Sequence, residues 1–261
     1  MATRKRKIGK KSMTRKKAFN PATIPIVVIC WNELTYIKNM VDQLKHYDHP
    51  IILLDNYSTY EPLLEYYKEI KKELGSKIEI RILKKNYGCT VYVQLKHTLP
   101  KVYILTDPDL ELNKNMPRNF AGILYEISEK YKVYKVGLYI EKIKKEDILE
   151  CSNYDFEWDK LVHPLKNEQY ELYFDKVQYG GTTFCLVNTK YHKTHKKPKR
   201  SAMRIAGDFT MKHLPWYKDS LNKIPKKELY MYVKNSTSST LVSKCIKPKL
   251  NTLKNIFKRK F

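Results

Sequence analysis

Two hydrophobic periods alternate through the first half of this chain. Apolar residues run consecutively or in alternation at 24–30, 51–54, 78–82 and 102–106, the pattern of strands buried in a sheet. Between these runs the spacing changes to three and four. Leu34, Ile37, Val41 and Leu44 mark one amphipathic helix, and Leu63, Tyr67, Ile70 and Leu74 mark a second, stopped by Gly75. A helix is also predicted over 91–97, and a longer one carries Phe120, Ile123, Leu124, Ile127 and Tyr131. Strand and helix in alternation predict an α/β fold: a mainly parallel, Rossmann-like central sheet flanked by helices.

Past residue 131 the pattern loosens. Residues 135–140 and 182–187 read as strands, 190–204 as a basic, proline-containing loop, and 211–217 as a compact aromatic segment. No linker divides the apolar pattern into two cores, so one domain is expected over 23–240. A basic, disordered tail is expected over 1–22 and a basic extension over 241–261.

Composition narrows the reading. The 261 residues carry 51 Lys+Arg against 27 Asp+Glu, a formal net charge of +24. Much of the excess lies in the two tails, which suits salt-sensitive contact with nucleic acid or an anionic membrane. The N-terminal run lacks an apolar core, so it does not read as a secretory signal, and no apolar stretch is long enough to span a bilayer. The five cysteines include no Cys-x-x-Cys pair, which argues against a zinc knuckle or a disulfide framework and suits a reducing compartment. A cytoplasmic location follows as the expectation.

The chemistry gathers where the strands end. The first ends in Cys30, Trp31, Asn32 and Glu33, the second in Asp55, Asn56, Tyr57 and Ser58. Asn86, Tyr87 and Gly88 follow the third. Asp107, Pro108 and Asp109 close the fourth, two carboxylates held apart by one proline. The carboxyl ends of parallel strands share one edge, where α/β sheets bind ligands. Singly, Asn32 and Ser58 read as helix caps and Asn86-Tyr87-Gly88 as a turn. Together these ends read as a nucleotide pocket with a site for a hard divalent cation.

These motifs resemble the successive motifs of the GT-A glycosyltransferases, nearest to the family-two type. Gly180-Gly181-Thr182 resembles the acceptor loop of that family. Residues 204–217, ending His213-Leu214-Pro215-Trp216-Tyr217, resemble a C-terminal segment of its bacterial and viral members. The resemblance implies a GT-A fold with a nucleotide-binding half over about 23–110 and a less regular acceptor half over about 111–240. It places Cys30, Trp31, Asn32, Glu33, Asp55, Asn56, Asn86, Gly88 and Asp107 around the nucleotide-sugar. Asp107 and Asp109 become the metal motif, and His213 is either a third ligand for Mn2+ or Mg2+ or a residue packed beside Trp216.

Arg204 and Lys212 are placed to screen phosphates. Asp208 is the candidate base, either that or a turn aspartate. The family's acid before Thr-Thr-Phe is Gly181 here, which leaves Asp155, Glu157 and Asp159 as alternative bases and the stereochemical course open. The implied activity is transfer of a sugar, from UDP-sugar first among donors, to a hydroxyl of a glycan, protein or other acceptor. Two other readings compete. A nucleotidyltransferase would share the paired aspartates, but its Gly-rich loop is missing after the first strand. A nucleic-acid-binding protein would share the charge but not the acids at the strand ends.

Overall fold

The computed structural model describes residues 20–149, 165, 168–174, 183–192 and 202–234. Among them, nine strands form one sheet.

Its parallel half is the half with the regular pattern. Strand β1 (Ile26–Cys30) lies between β2 (Ile51–Asp55) and β4 (Val102–Thr106), and β3 (Ile78–Ile82) pairs with β2 at the edge, all parallel. Every residue of β1 and β2 is buried. Alternate side chains feed two cores. Ile26, Val28 and Cys30 pack on one face with Ile37, Met40 and Leu63, while Val27 and Ile29 pack on the other with Val91, Tyr92 and Leu105. Helices α1 (Leu34–Leu44) and α2 (Glu61–Leu74) return the chain between these strands. Gly75 ends α2 at φ 53°, a backbone conformation that a Cβ disfavours.

The predicted helix over 91–97 is shorter than its pattern suggested. A 3-10 turn at Gly88–Thr90 leads into α3 (Val91–Gln94), and the rest is turn. Only Val91 and Tyr92 of α3 are buried, and Val93 is exposed, so little apolar face holds further turns.

In the second half α4 (Phe120–Tyr131) covers the same sheet, and the strands change direction. β8 (Cys185–Asn188) runs antiparallel to β4 and to β6 (Lys135–Ile140). β9 (Ala202–His213) is parallel to β6 and antiparallel to β5 (Leu110–Leu112) and β7 (Leu172–Phe174). The order across the sheet is β3-β2-β1-β4-β8-β6-β9-β5, with β7 also paired to β9. The end of the predicted loop and the start of the predicted aromatic segment are therefore one twelve-residue strand, with a 3-10 turn at Leu214–Trp216. Between Leu138 and Tyr139 the partner in β9 jumps from Ile205 to Thr210. Gly207, at φ 71°, lies in this bulge. A last helix, α5 (Lys226–Lys234), closes the described chain. Among the described residues no helix is long and apolar enough to cross a membrane. The tail over 1–19, the stretch 193–201 of the basic loop and the extension over 241–261 lie outside the described residues.

Candidate active site

Asp107 and Asp109 leave the carboxyl end of β4, and β5 begins at the next residue. Register then brings His213 beside Asp109. Leu110 pairs with His213 across β5 and β9, and Leu214 N–H donates to the Asp109 carbonyl at 2.9 Å. The imidazole Nε2 lies 3.7 Å from Asp109 Oδ2, and the two side chains are 15% and 14% exposed. Trp216 packs on the His213 ring with centroids 4.3 Å apart.

Asp109 Oδ1 is buried without a hydrogen-bond partner. A carboxylate in that position lacks compensation for its lost hydration. Burial accordingly pushes its carboxyl up to about 7. Glu33, just beyond β1, is also raised well above the ordinary value, first by burial and then by the charges of Asp109, Glu228 and Asp107. Three neighbouring carboxylates thus act on the buried Glu33. A cation near them would offset that charge. Carboxylate oxygens and one imidazole suit Mn2+ or Mg2+. Among the described residues no three His, Cys, Asp or Glu side chains form a complete metal cluster, so a cation here would take further ligands from a diphosphate or water.

The other strand-end residues knit the rim together. Asn32 stands in the left-handed region at φ 50°, and its Oδ1 accepts from Thr59 and Tyr60 N–H at 2.8 and 3.0 Å. Its own N–H donates to Ser58 Oγ at 2.8 Å. Asp55 accepts from Ser58 N–H and from the Tyr67 hydroxyl, both at 2.6 Å. Its carboxyl is raised by burial, with these hydrogen bonds opposing the rise. Asn56 holds Tyr87 N–H and the Gly88 carbonyl, and Asn86 accepts from Gly88 N–H at 2.7 Å. Cys30 is buried and its thiol pushed up by burial, so it is an inert part of the core. Cys30, Asn32, Asp55 and Asn56 are at most 2% exposed. They shape the loops; Trp31, Asp107 and Asp109 are partly exposed.

Three further predicted residues lie along β9. Arg204 is buried in β9, donating to the Leu138 carbonyl at 2.8 Å and approaching Thr183 Oγ1 at 3.4 Å. Lys212 pairs with Glu111 at 2.7 Å across β5 and β9. Asp208 is exposed in the β9 bulge. Three or more residues of strand, roughly 10 Å, separate it from the level of His213. Asp155, Glu157, Asp159, Gly180, Gly181 and Thr182 lie outside the described residues.

Glu228 is the residue that sequence reading missed. It is 1% exposed, and its two oxygens accept from Thr35 N–H at 2.7 Å and Thr35 Oγ1 at 2.9 Å. The same helix receives Trp31 Nε1–H at the Tyr232 carbonyl, 3.4 Å, and Asn32 Nδ2–H at the Met231 carbonyl, 3.5 Å. Helix α5 thus backs the loop after β1. No local pattern announces this, because 193 residues separate Glu228 from Thr35.

The crystal structure of GalNAc-T7 with UDP, GalNAc and Mn2+ matches the fold of this chain with a TM-score of 0.54 at 14% identity, over 84% of this chain and 47% of that one. The chain has the GT-A fold. The mannosyltransferase PcManGT from Pyrobaculum calidifontis, in complex with GDP-Man and Mn2+, matches at TM-score 0.45 and 10% identity, over 84% of this chain and 66% of that one. S. aureus TarS matches at 0.46 and 12%, over 84% and 41%. The chain therefore spans less than two thirds of each of these three GT-A proteins. No protein-family model matches the sequence, and no curated protein does.

Proposed function

We propose that this chain is a metal-dependent glycosyltransferase that takes its sugar from a nucleoside-diphosphate sugar, UDP-sugar first among them. Asp109 carries the reading: a buried carboxylate with an oxygen lacking a partner, 3.7 Å from an imidazole, at the ligand-binding edge of a GT-A sheet. Asp109, Asp107 and His213 would hold Mn2+ or Mg2+. That ion, when bound, neutralises charge on the departing diphosphate.

The protein's own groups do the rest. Asn32, Asp55, Asn56 and Asn86 fix the rim against which the nucleotide lies. Glu33 adds negative charge beside the cation site and strengthens its hold. The base that takes the acceptor's hydroxyl proton comes from Asp208 or from Asp155, Glu157 and Asp159. The acceptor is a hydroxyl on a glycan, protein or other molecule, met in the cytoplasm. The basic tails add affinity for polyanions without taking part in transfer.

A panel of nucleotide-sugars, with and without Mn2+, tests the reading by thermal shift and by release of nucleoside diphosphate. Stabilisation follows from binding to the native state. It should need both metal and diphosphate, and Asp109→Asn should abolish it. No stabilisation by any sugar nucleotide with Mn2+ would refute the proposal. Release of pyrophosphate from a nucleoside triphosphate would point to nucleotidyl transfer instead.

A further inference from the structure

Strand β3 ends the sheet, and among the described residues no strand covers its outer side. An open edge of this kind is a template for another strand. Leu83 N–H donates to the Asp55 carbonyl at 2.9 Å, so residues 79, 81 and 83 direct their backbone groups toward β2. By strand alternation, Ile78, Ile80 and Ile82 direct theirs outward, where the Ile78 carbonyl accepts from Lys71 Nζ at 2.7 Å, a contact the partner strand would replace. Side chains alternate as well. Ile80 and Ile82 line a groove of about 540 Å³ with Leu64, Tyr67 and Lys68 of α2, and Ile82 is 54% exposed. Glu79 and Arg81 occupy the opposite face, paired with each other at 2.5 Å, and Arg81 donates to the Thr98 carbonyl.

The sequence Ile78-Glu79-Ile80-Arg81-Ile82 is self-complementary about its centre. We propose that β3 is a dimerisation edge, pairing antiparallel with the β3 of a second copy of this chain about a two-fold axis at Ile80. In that register Ile80 meets Ile80 of the partner subunit, and Ile78 meets Ile82 of the partner subunit. All of these are positions whose backbone groups point outward. Glu79 faces Arg81 of the partner subunit in a non-hydrogen-bonded pair, where cross-strand side chains approach most closely.

The charges on α2 agree. Glu61 and Glu65 lie toward its start, and Lys68 and Lys71 toward its end, on the side that borders the groove. A two-fold axis turns the partner's α2 end for end, setting each acidic half against a basic half. The groove's exposed isoleucine is covered at the same time. A two-fold contact of this kind is closed, so it gives a dimer rather than a filament.

Sedimentation of the full chain over a range of concentrations tests the proposal, with melting curves to confirm that each variant folds. Wild type should show a species of twice the 31.1 kDa of one chain. Ile80→Pro removes an outward N–H that β2 does not use, so it should fold and sediment as a monomer. E79R and R81E should each be monomeric alone, since each sets like charges across the axis. Mixed one to one, they should form a heterodimer, because both arginines of one chain then face both glutamates of the other. A wild type that stays monomeric, a folded Ile80→Pro that still dimerises, or a mixture that does not associate would each overturn the proposal. Growth into larger assemblies would overturn it too.

Discussion

Replacing Glu228 by alanine should loosen the loop after β1 from a distance. The first turn of α1 has no cap from its own neighbourhood: Glu33 stands at the N-cap position without a side-chain hydrogen bond. Glu228 substitutes for it, accepting Thr35 N–H at 2.7 Å and the Thr35 hydroxyl at 2.9 Å. Loss of a helix cap costs ~0.5–2 kcal/mol, and leaving a buried donor unmade costs ~1–3 kcal/mol. Relief of the buried charge offsets part of this, so a net loss of about 1–3 kcal/mol is expected. For a domain of this size that lowers the melting temperature by about 3–10 °C. Glu228→Gln keeps the shape and one acceptor, and should lose less than about 1 kcal/mol.

The pH dependence has a definite sign. Burial raises the folded-state value of Glu228 above the ordinary 4.5, with the Thr35 bonds opposing. The folded protein then binds more protons than the unfolded chain between the ordinary and the raised value. Stability must fall as pH rises through that window. Glu228→Gln removes this contribution, so the stability gap between wild type and variant should narrow or reverse as pH rises. Melting curves of both proteins across the window, with metal chelated, measure it. An alanine variant melting within about 1 °C of wild type would refute the capping role, as would identical pH slopes for wild type and Gln.

Other outcomes follow from the same geometry. Asp109→Asn should lose metal-dependent stabilisation by UDP. Without metal it should melt no lower than wild type above pH 7, because burial raises the folded carboxyl to about 7 and its ionisation there costs stability; calorimetry with EDTA decides. Asn32→Ala should destabilise by about 2–4 kcal/mol, through the left-handed backbone and two unmade N–H groups, read as a shift in the urea midpoint. Asp208→Asn should keep UDP affinity and slow transfer about 10²–10⁴-fold. Unchanged transfer would move the base to Asp155, Glu157 or Asp159.

What could be read from the chain depended on where each interaction is encoded. Strands β1 to β4 and helices α1, α2 and α4 were legible because their own periods state which residues are buried. The position of Asp107 and Asp109 just past β4 was legible because a buried strand must end before charge can begin. Strands β5 and β7, three residues each, are too short to show a period. Strand β9 was hidden because Gly207 and Asp208 interrupt its alternation. Glu228 could not be found at all, since its partner is fixed only by folding. Asn32 and Asp55 mark the subtler limit. Their residue types announced a polar site, but the structure shows their polar atoms bound to backbone and hydroxyl groups of the loops.

The bulge in β9 has a consequence for changes in length. Ile205 and Thr210 pair with adjacent residues of β6, so four residues of β9 stand between them unpaired with that strand. Four is even, and the inward and outward alternation of β9 stays in phase across the interruption. A two-residue deletion near Gly207 would preserve that phase. A one-residue deletion would invert it, turning His213 from the face it shares with Asp109 to the other side of the sheet while Ala202–Ile205 kept their pairing. The parity of this bulge therefore sets which face of the sheet receives the imidazole.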